Sequence, residues 1–209
     1  MSFKIGSGGG SGDFEKPDLG RHVAVLADIV DIGEQKTNYL IEKGPNKGQP
    51  KNTRQAVLFW ELAQRNQEGE FAGHRFIKTQ TVTASLYGGW NQGSPAKLFG
   101  ICTALNNGVP LTEADVEDEY DISAMVGKSA MIYLEDTEDG KYRFIGRVES
   151  LQNAADALTA EEQYGEAHYH DWLKDKIAAR VDQPSTLPPP MADAVDSEAS
   201  PYRDDELPL

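Results

Sequence analysis

A mainly β fold, a small five-stranded barrel carrying one helix, is predicted by three observations. Five stretches before residue 150 carry apolar residues at β spacing, some of them on both faces, as strands covered on two sides do. One stretch, Pro95 to Asn106, has helical spacing instead, and it falls between the third and fourth of those strands. The connections are rich in Gly, Pro, Asn and Asp, the residues that turn a chain.

The first strand is read over Val23–Ile32, with Val23, Val25, Ala27 and Ile29 on one face and Ala24, Leu26 and Val30 on the other. A long polar excursion, Gly33 to Arg54, separates it from the second strand, Gln55–Ala63, where Leu58 and Trp60 share one face and Val57 and Phe59 the other. After a polar turn, Arg75–Leu86 reads as a third strand rich in Thr. Tyr87 to Gly93 then sets two large rings, Tyr87 and Trp90, among glycines. The helix over Pro95–Asn106 has Ser94 as its expected N-cap and Pro95 at its first position, and Asn107 and Gly108 end it. An acidic stretch follows, in which Thr112 is placed to cap a short helix. Ser129–Glu135 and Lys141–Ser150 flank a short Asp-Gly turn and make a hairpin, with Tyr142, Phe144 and Val148 on one face of its second strand. Two strands joined by a long loop, a third strand, a helix and a final hairpin is the order of an oligonucleotide-binding (OB) fold, a five-stranded Greek-key barrel with its helix between strands three and four.

Charge sharpens the functional reading. The chain has a net charge of −14, yet between Lys36 and Arg54 five cations (Lys36, Lys43, Lys47, Lys51 and Arg54) meet only Glu42. A basic, Gly/Pro-punctuated loop carrying a ring, Tyr39, suits a nucleic-acid strand, because cations offset phosphate charge and rings stack on bases. A solvated hairpin loop is the plainer alternative. Residues 16–100 hold eleven Lys and Arg against eight Asp and Glu, whereas residues 151–209 hold four against thirteen. The acid is therefore concentrated at the C-terminal end, away from the basic segment.

That end divides further. Thr159–Val181 reads as an amphipathic helix with Tyr164, Trp172, Leu173 and Ile177 as packing residues, suited to the barrel surface or to a second copy of the chain. From Asp182 the sequence is rich in Pro, Ser, Asp and Ala and ends in Asp204, Asp205, Glu206, Leu207, Pro208 and Leu209, the pattern of a disordered acidic tail whose tip docks on another protein. The expected organisation is thus a Gly/Ser arm (1–12), a barrel domain (13–150), a helical extension (151–181) and a tail (182–209).

Several chemistries are not supported. Cys102 stands alone, so neither an internal disulfide nor a Cys-based zinc cluster is expected, and a reducing compartment is the default. No apolar run approaches the roughly 18 residues of a membrane span, and no signal-peptide core is present, so a soluble cytoplasmic protein is expected. His168 and His170, two apart, would point to different sides of a helix and not share a metal. Gly44 to Thr53 lacks the spacing of a phosphate loop, and the acids from Asp115 to Glu119 form one polar run without a second cluster. No catalysis and no cofactor are expected.

With these elements in place the chain resembles the single-stranded-DNA-binding proteins of tailed bacteriophages. Met1 to Gly6 with the Gly/Ser arm, the strand around Val57 to Leu62, and the hairpin segment Lys141 to Ile145 carry the resemblance. The tip Asp204 to Leu209 is similar to the acidic-apolar tips of bacterial single-stranded-DNA-binding proteins, although it ends in Leu209 where those usually end in an aromatic residue. The resemblance implies an OB barrel that binds and protects single-stranded DNA in the host cytoplasm during phage replication and recombination, and recruits replication or recombination proteins through its tail. Bases are expected on Trp60, Phe76, Trp90 and Tyr142, with Tyr39 and Phe59 next. Phosphates are expected on Lys36, Lys43, Lys47, Lys51, Arg54, Arg75, Lys78, Arg143 and Arg147. An acidic DNA mimic that binds a DNA-processing enzyme is the main alternative, and an assembly factor whose barrel contacts protein is another.

Overall fold

The computed structural model describes residues 15–90, 94–117, 120–161 and 164–180. Five antiparallel strands form one sheet: β1 (Gly20–Leu40), β2 (Pro50–Arg65), β3 (Arg75–Thr83), β4 (Ser129–Asp136) and β5 (Arg143–Glu149), in the order β3-β2-β1-β4-β5. Helices α1 (Lys97–Leu105) and α2 (Glu113–Glu117) and a 3-10 turn (Ile122–Met125) lie between β3 and β4. The fold is mainly β and OB-like, as expected, with the 3-10 turn added in that crossover to the main helix and the short Thr112-capped helix anticipated.

One strand does the work of two. The first residues of β1, Gly20 to Val25, pair with β4, while Ala24 to Leu40 pair with β2. Register shifts between Leu26 and Asp28 and between Asp31 and Gly33 bend β1 so that it can serve both neighbours. Gly33 is at φ 68°, and a Cβ there would come within 2.7 Å of the Arg180 Cβ, so the bend is closed to larger residues. The sheet is not closed: β3 and β5 share no ladder, but they approach each other, and side chains bridge the gap. Lys78 Nζ donates to the Arg143 carbonyl (2.7 Å) and Gln80 Nε2 to that of Ile145 (3.3 Å).

Alternation along β2 divides two cores. Ala56, Leu58, Trp60 and Leu62 point inward and pack with Leu26, Phe76, Ile132, Leu134 and Ile145. Helix α1 supplies Leu98, Ile101, Cys102 and Leu105 to the same interior. Val57 and Phe59 point outward and, with Val30 and Ile32, form a second cluster around Leu173, which is fully buried. The two-sided apolar pattern of β1 and β2 is thereby explained: the C-terminal extension covers the outer face.

Three expectations about elements are corrected. The basic excursion is not a loop over its length; β1 and β2 run on into it as a β-ribbon, with Glu34 opposite Arg54, Lys36 opposite Asn52 and Leu40 opposite Pro50, leaving only residues 41–49 to turn. The extension is not one helix over 159–181: α3 spans Asp171–Ala178 alone, preceded by a 3-10 turn at Glu166–His168. Gly165 is extended (φ −176°), and the Glu161 amide is held by Glu61, which keeps this segment out of a helix. Helix α1 starts after Pro95, with Ala96 rather than Ser94 at its N-cap. Thr112 does cap α2, its hydroxyl accepting from the Asp115 amide while Asp115 accepts from Thr112.

Candidate nucleic-acid interface

The β1–β2 ribbon is the basic feature of the fold. Lys36, Lys43, Lys47 and Lys51 are exposed, and none of them joins an ion pair among the described residues. Hydrogen bonds across the base of its turn, Ile41 N–H to Gln49 O (2.9 Å) and Gly48 N–H to Ile41 O (2.8 Å), hold the lysines on a defined support. Arg54, at the root, is 60% exposed and pairs with Asp31 at 2.5 Å. Although burial pushes the Asp31 carboxyl up, its bonds to the Arg54 guanidinium and the Gly33 amide hold it below the usual range. Arg54 is therefore partly neutralised, whereas the four lysines keep their charge for a ligand.

The other expected cations divide. Arg75 is committed internally, to the buried Glu61 (2.8 Å), to Glu161 and to the Thr159 carbonyl, and its side chain is 15% exposed. Lys78 is spent on the gap between β3 and β5, and its burial, with Arg143 and Lys16 nearby, lowers its pKa. Arg143 binds Asp136 (2.9 Å) and the Pro17 carbonyl. These three hold the fold together and are withdrawn as phosphate contacts. Arg147 remains exposed, paired with Glu149 (3.1 Å) and stacked over Tyr133, 4.1 Å from its ring centre.

The rings divide in the same way. Trp60 is 0% exposed, Phe59 2% and Phe76 7%, so none of the three can meet a base without unpacking the protein; all are corrected to core residues. Trp90 is half-buried, edge-on to Tyr87 (5.9 Å) and Phe99 (5.6 Å), and packs closely over Gly88 against the core. Tyr142, on the β4–β5 turn, is 71% exposed and is the one expected stacking ring among the described residues that stands open. Tyr39 is on β1, but its side chain lies outside the described residues, as does the tip Asp204 to Leu209.

Residues not singled out beforehand complete the surface. Thr79, Thr81 and Thr83 of β3 are all exposed on its outer face, opposite Phe59, Val57 and Gln55 of β2. Their hydroxyls make a polar row about 14 Å long at ~3.4 Å per residue, running toward the root of the ribbon. The β4–β5 turn carrying Tyr142 flanks β3 on its other side, tied there through Lys78 and Arg143. The rest of the outer β2 face is roofed by Tyr164 and Tyr169, whose rings lie over Phe59 at 6.1 and 5.7 Å. Strand alternation and the Thr-rich composition of β3 carried a signal for the row; nothing in the sequence told which face the extension would cover.

Comparison with known protein families and with curated proteins finds no match to this chain. Among the described residues no helix is long and apolar enough to cross a membrane.

Proposed function

We propose that this chain binds single-stranded DNA with little sequence preference, the phosphates following the basic ribbon and the strand crossing the outer edge of β3. The observation that carries the reading is a β-ribbon bearing four exposed lysines that join no ion pair among the described residues, mounted at the β1–β2 connection of an OB-like barrel. In such barrels that connection, the β2–β3 face and the β4–β5 loop are the surfaces that take oligonucleotides. Hydroxyls and lysines contact backbone in any sequence, and a ring such as Tyr142 stacks on any base, which favours binding without a base code. The roof over β2 narrows the available face to β3 and its flanks. On the strength of the resemblance, the role is protection of single strands in phage replication or recombination, with the acidic tail recruiting partners.

The test is fluorescence anisotropy of a labelled oligo-dT of about 30 nucleotides beside a duplex of equal length, at two salt concentrations. Salt-sensitive binding of the single strand in preference to the duplex supports the reading. Binding of neither removes it, and leaves the acidic chain as a ligand for a DNA-processing enzyme.

A further inference from the structure

Three of the chain's four histidines, His74, His168 and His170, line one groove between β3 and the C-terminal extension. The groove has a volume of about 240 Å³. The rings of Phe71 and Tyr164 line it beside Asn66, Arg75 and Lys78, the two cations being committed to Glu61 and to the Arg143 carbonyl, and Thr79, the first hydroxyl of the exposed row, sits at its margin. His168 packs against Tyr164, ring centres 5.6 Å apart, and its Nδ1 is buried with no hydrogen-bond partner among the described residues. The three imidazoles are not gathered closely enough to hold a metal ion. A buried ring nitrogen without a partner costs free energy.

We infer that the groove seats one nucleobase of the bound strand, its flat face against the aromatic wall and its polar edge toward His168 and His170. The inference rests on the single-strand reading above and names where one base goes. Three features select a base over other small ligands. The walls offer rings to a planar partner, which stacks with ~1–3 kcal/mol per base in single-strand sites. A neutral imidazole both donates and accepts, so His170 suits the mixed donor and acceptor edge of a base better than the oxygens of a bare phosphate. The threonine row leads from the ribbon to the groove mouth, so a strand whose phosphates lie on the lysines can deliver a base into it without crossing the roofed face. Burial lowers the pKa of His170 against the opposing pull of Asp171, which keeps that imidazole neutral at physiological pH.

The experiment uses the full chain and two oligomers of equal length, dT30 and its abasic counterpart, with His168→Ala and His170→Ala as variants. The expected result is that each variant weakens dT30 binding about ten-fold and leaves abasic binding unchanged. Unchanged dT30 affinity in both variants overturns the groove while the single-strand reading stands; failure of the unaltered chain to bind either oligomer overturns both. A second measurement needs no variant. The imidazole resonances of His168 and His170 in the unaltered chain are followed by NMR with thymidine 5′-monophosphate and, separately, with inorganic phosphate. Shifts with the nucleotide alone support the base site, while equal shifts with phosphate, or none with either, contradict it.

Discussion

Replacing Lys36, Lys43, Lys47 and Lys51 together with alanine removes the exposed charge of the ribbon without breaking an ion pair among the described residues. The stability of the barrel is therefore expected to change little, within the roughly 0.5 kcal/mol per site usual for surface substitutions. The effect on binding is different in kind. Each single-strand phosphate neutralised contributes about 0.7 to the slope of log K against log salt, so four lysines that each meet a phosphate contribute about 2.8. Over a four-fold rise in salt, from about 50 to 200 mM, that slope corresponds to a roughly 50-fold loss of affinity, which the variant no longer suffers. The assay is anisotropy of labelled dT30 at four salt concentrations, with Lys97→Ala, on α1, as a one-charge control away from the ribbon. A variant slope equal to that of the unaltered chain refutes the assignment of the phosphates to the ribbon, whatever happens to the affinity at one salt.

Trp60→Ala is expected to cost about 3–5 kcal/mol in denaturant unfolding, as for a large core side chain, and any loss of DNA binding should follow the loss of folded protein. Leu173→Ala, at the centre of the outer cluster, should cost about 2–5 kcal/mol. It should raise hydrogen exchange first in residues 164–178, with the barrel amides still protected. The Glu161 carboxyl is held below its ordinary value of 4.5, chiefly by its bond to Arg65 and against some burial. Its contribution is therefore fully present above that ordinary value and is lost as pH falls through the lowered one. Proteolytic cutting of the extension should rise on acidification below pH 4.5, using an acid-active protease, and the Glu161→Gln chain should lack that dependence. Burial pushes the Cys102 thiol up to about 11, so a thiol reagent at pH 8 should label it only after unfolding.

The strands that bury a face were legible, because alternation reports burial directly. β2 shows it best: residues 56–62 read as two apolar faces, and both prove buried. The ribbon was read as a loop for the same reason. From Glu34 to Asn38 and from Lys51 to Arg54 both faces are polar, so no period marks them, and only the backbone pairing makes them strands. The extension misled in the opposite direction. Its good helix formers suggest a long helix, but Glu61, a buried acid on β2, captures the Glu161 amide and Arg75, fixing the segment before α3 in an extended course. That contact joins residues 100 positions apart, and no local pattern announces it. The same blindness affected the site. An aromatic ring on a strand is equally suited to core and ligand, and Trp60, Phe59 and Phe76 went to the core, while Tyr142, on a turn, stayed open. The lysines were easier to place, because a cluster of like charges cannot be buried together.

Lysine footprinting on the unaltered chain tests the central claim most directly. The chain is acetylated briefly with and without saturating dT30, and the modified lysines are quantified by mass spectrometry. The account predicts that Lys36, Lys43, Lys47 and Lys51 are protected by the single strand, that Lys97 and Lys174 are unaffected, and that Lys78, buried at the β3–β5 gap, reacts poorly in both samples. Ribbon lysines that stay fully reactive at saturation would contradict it.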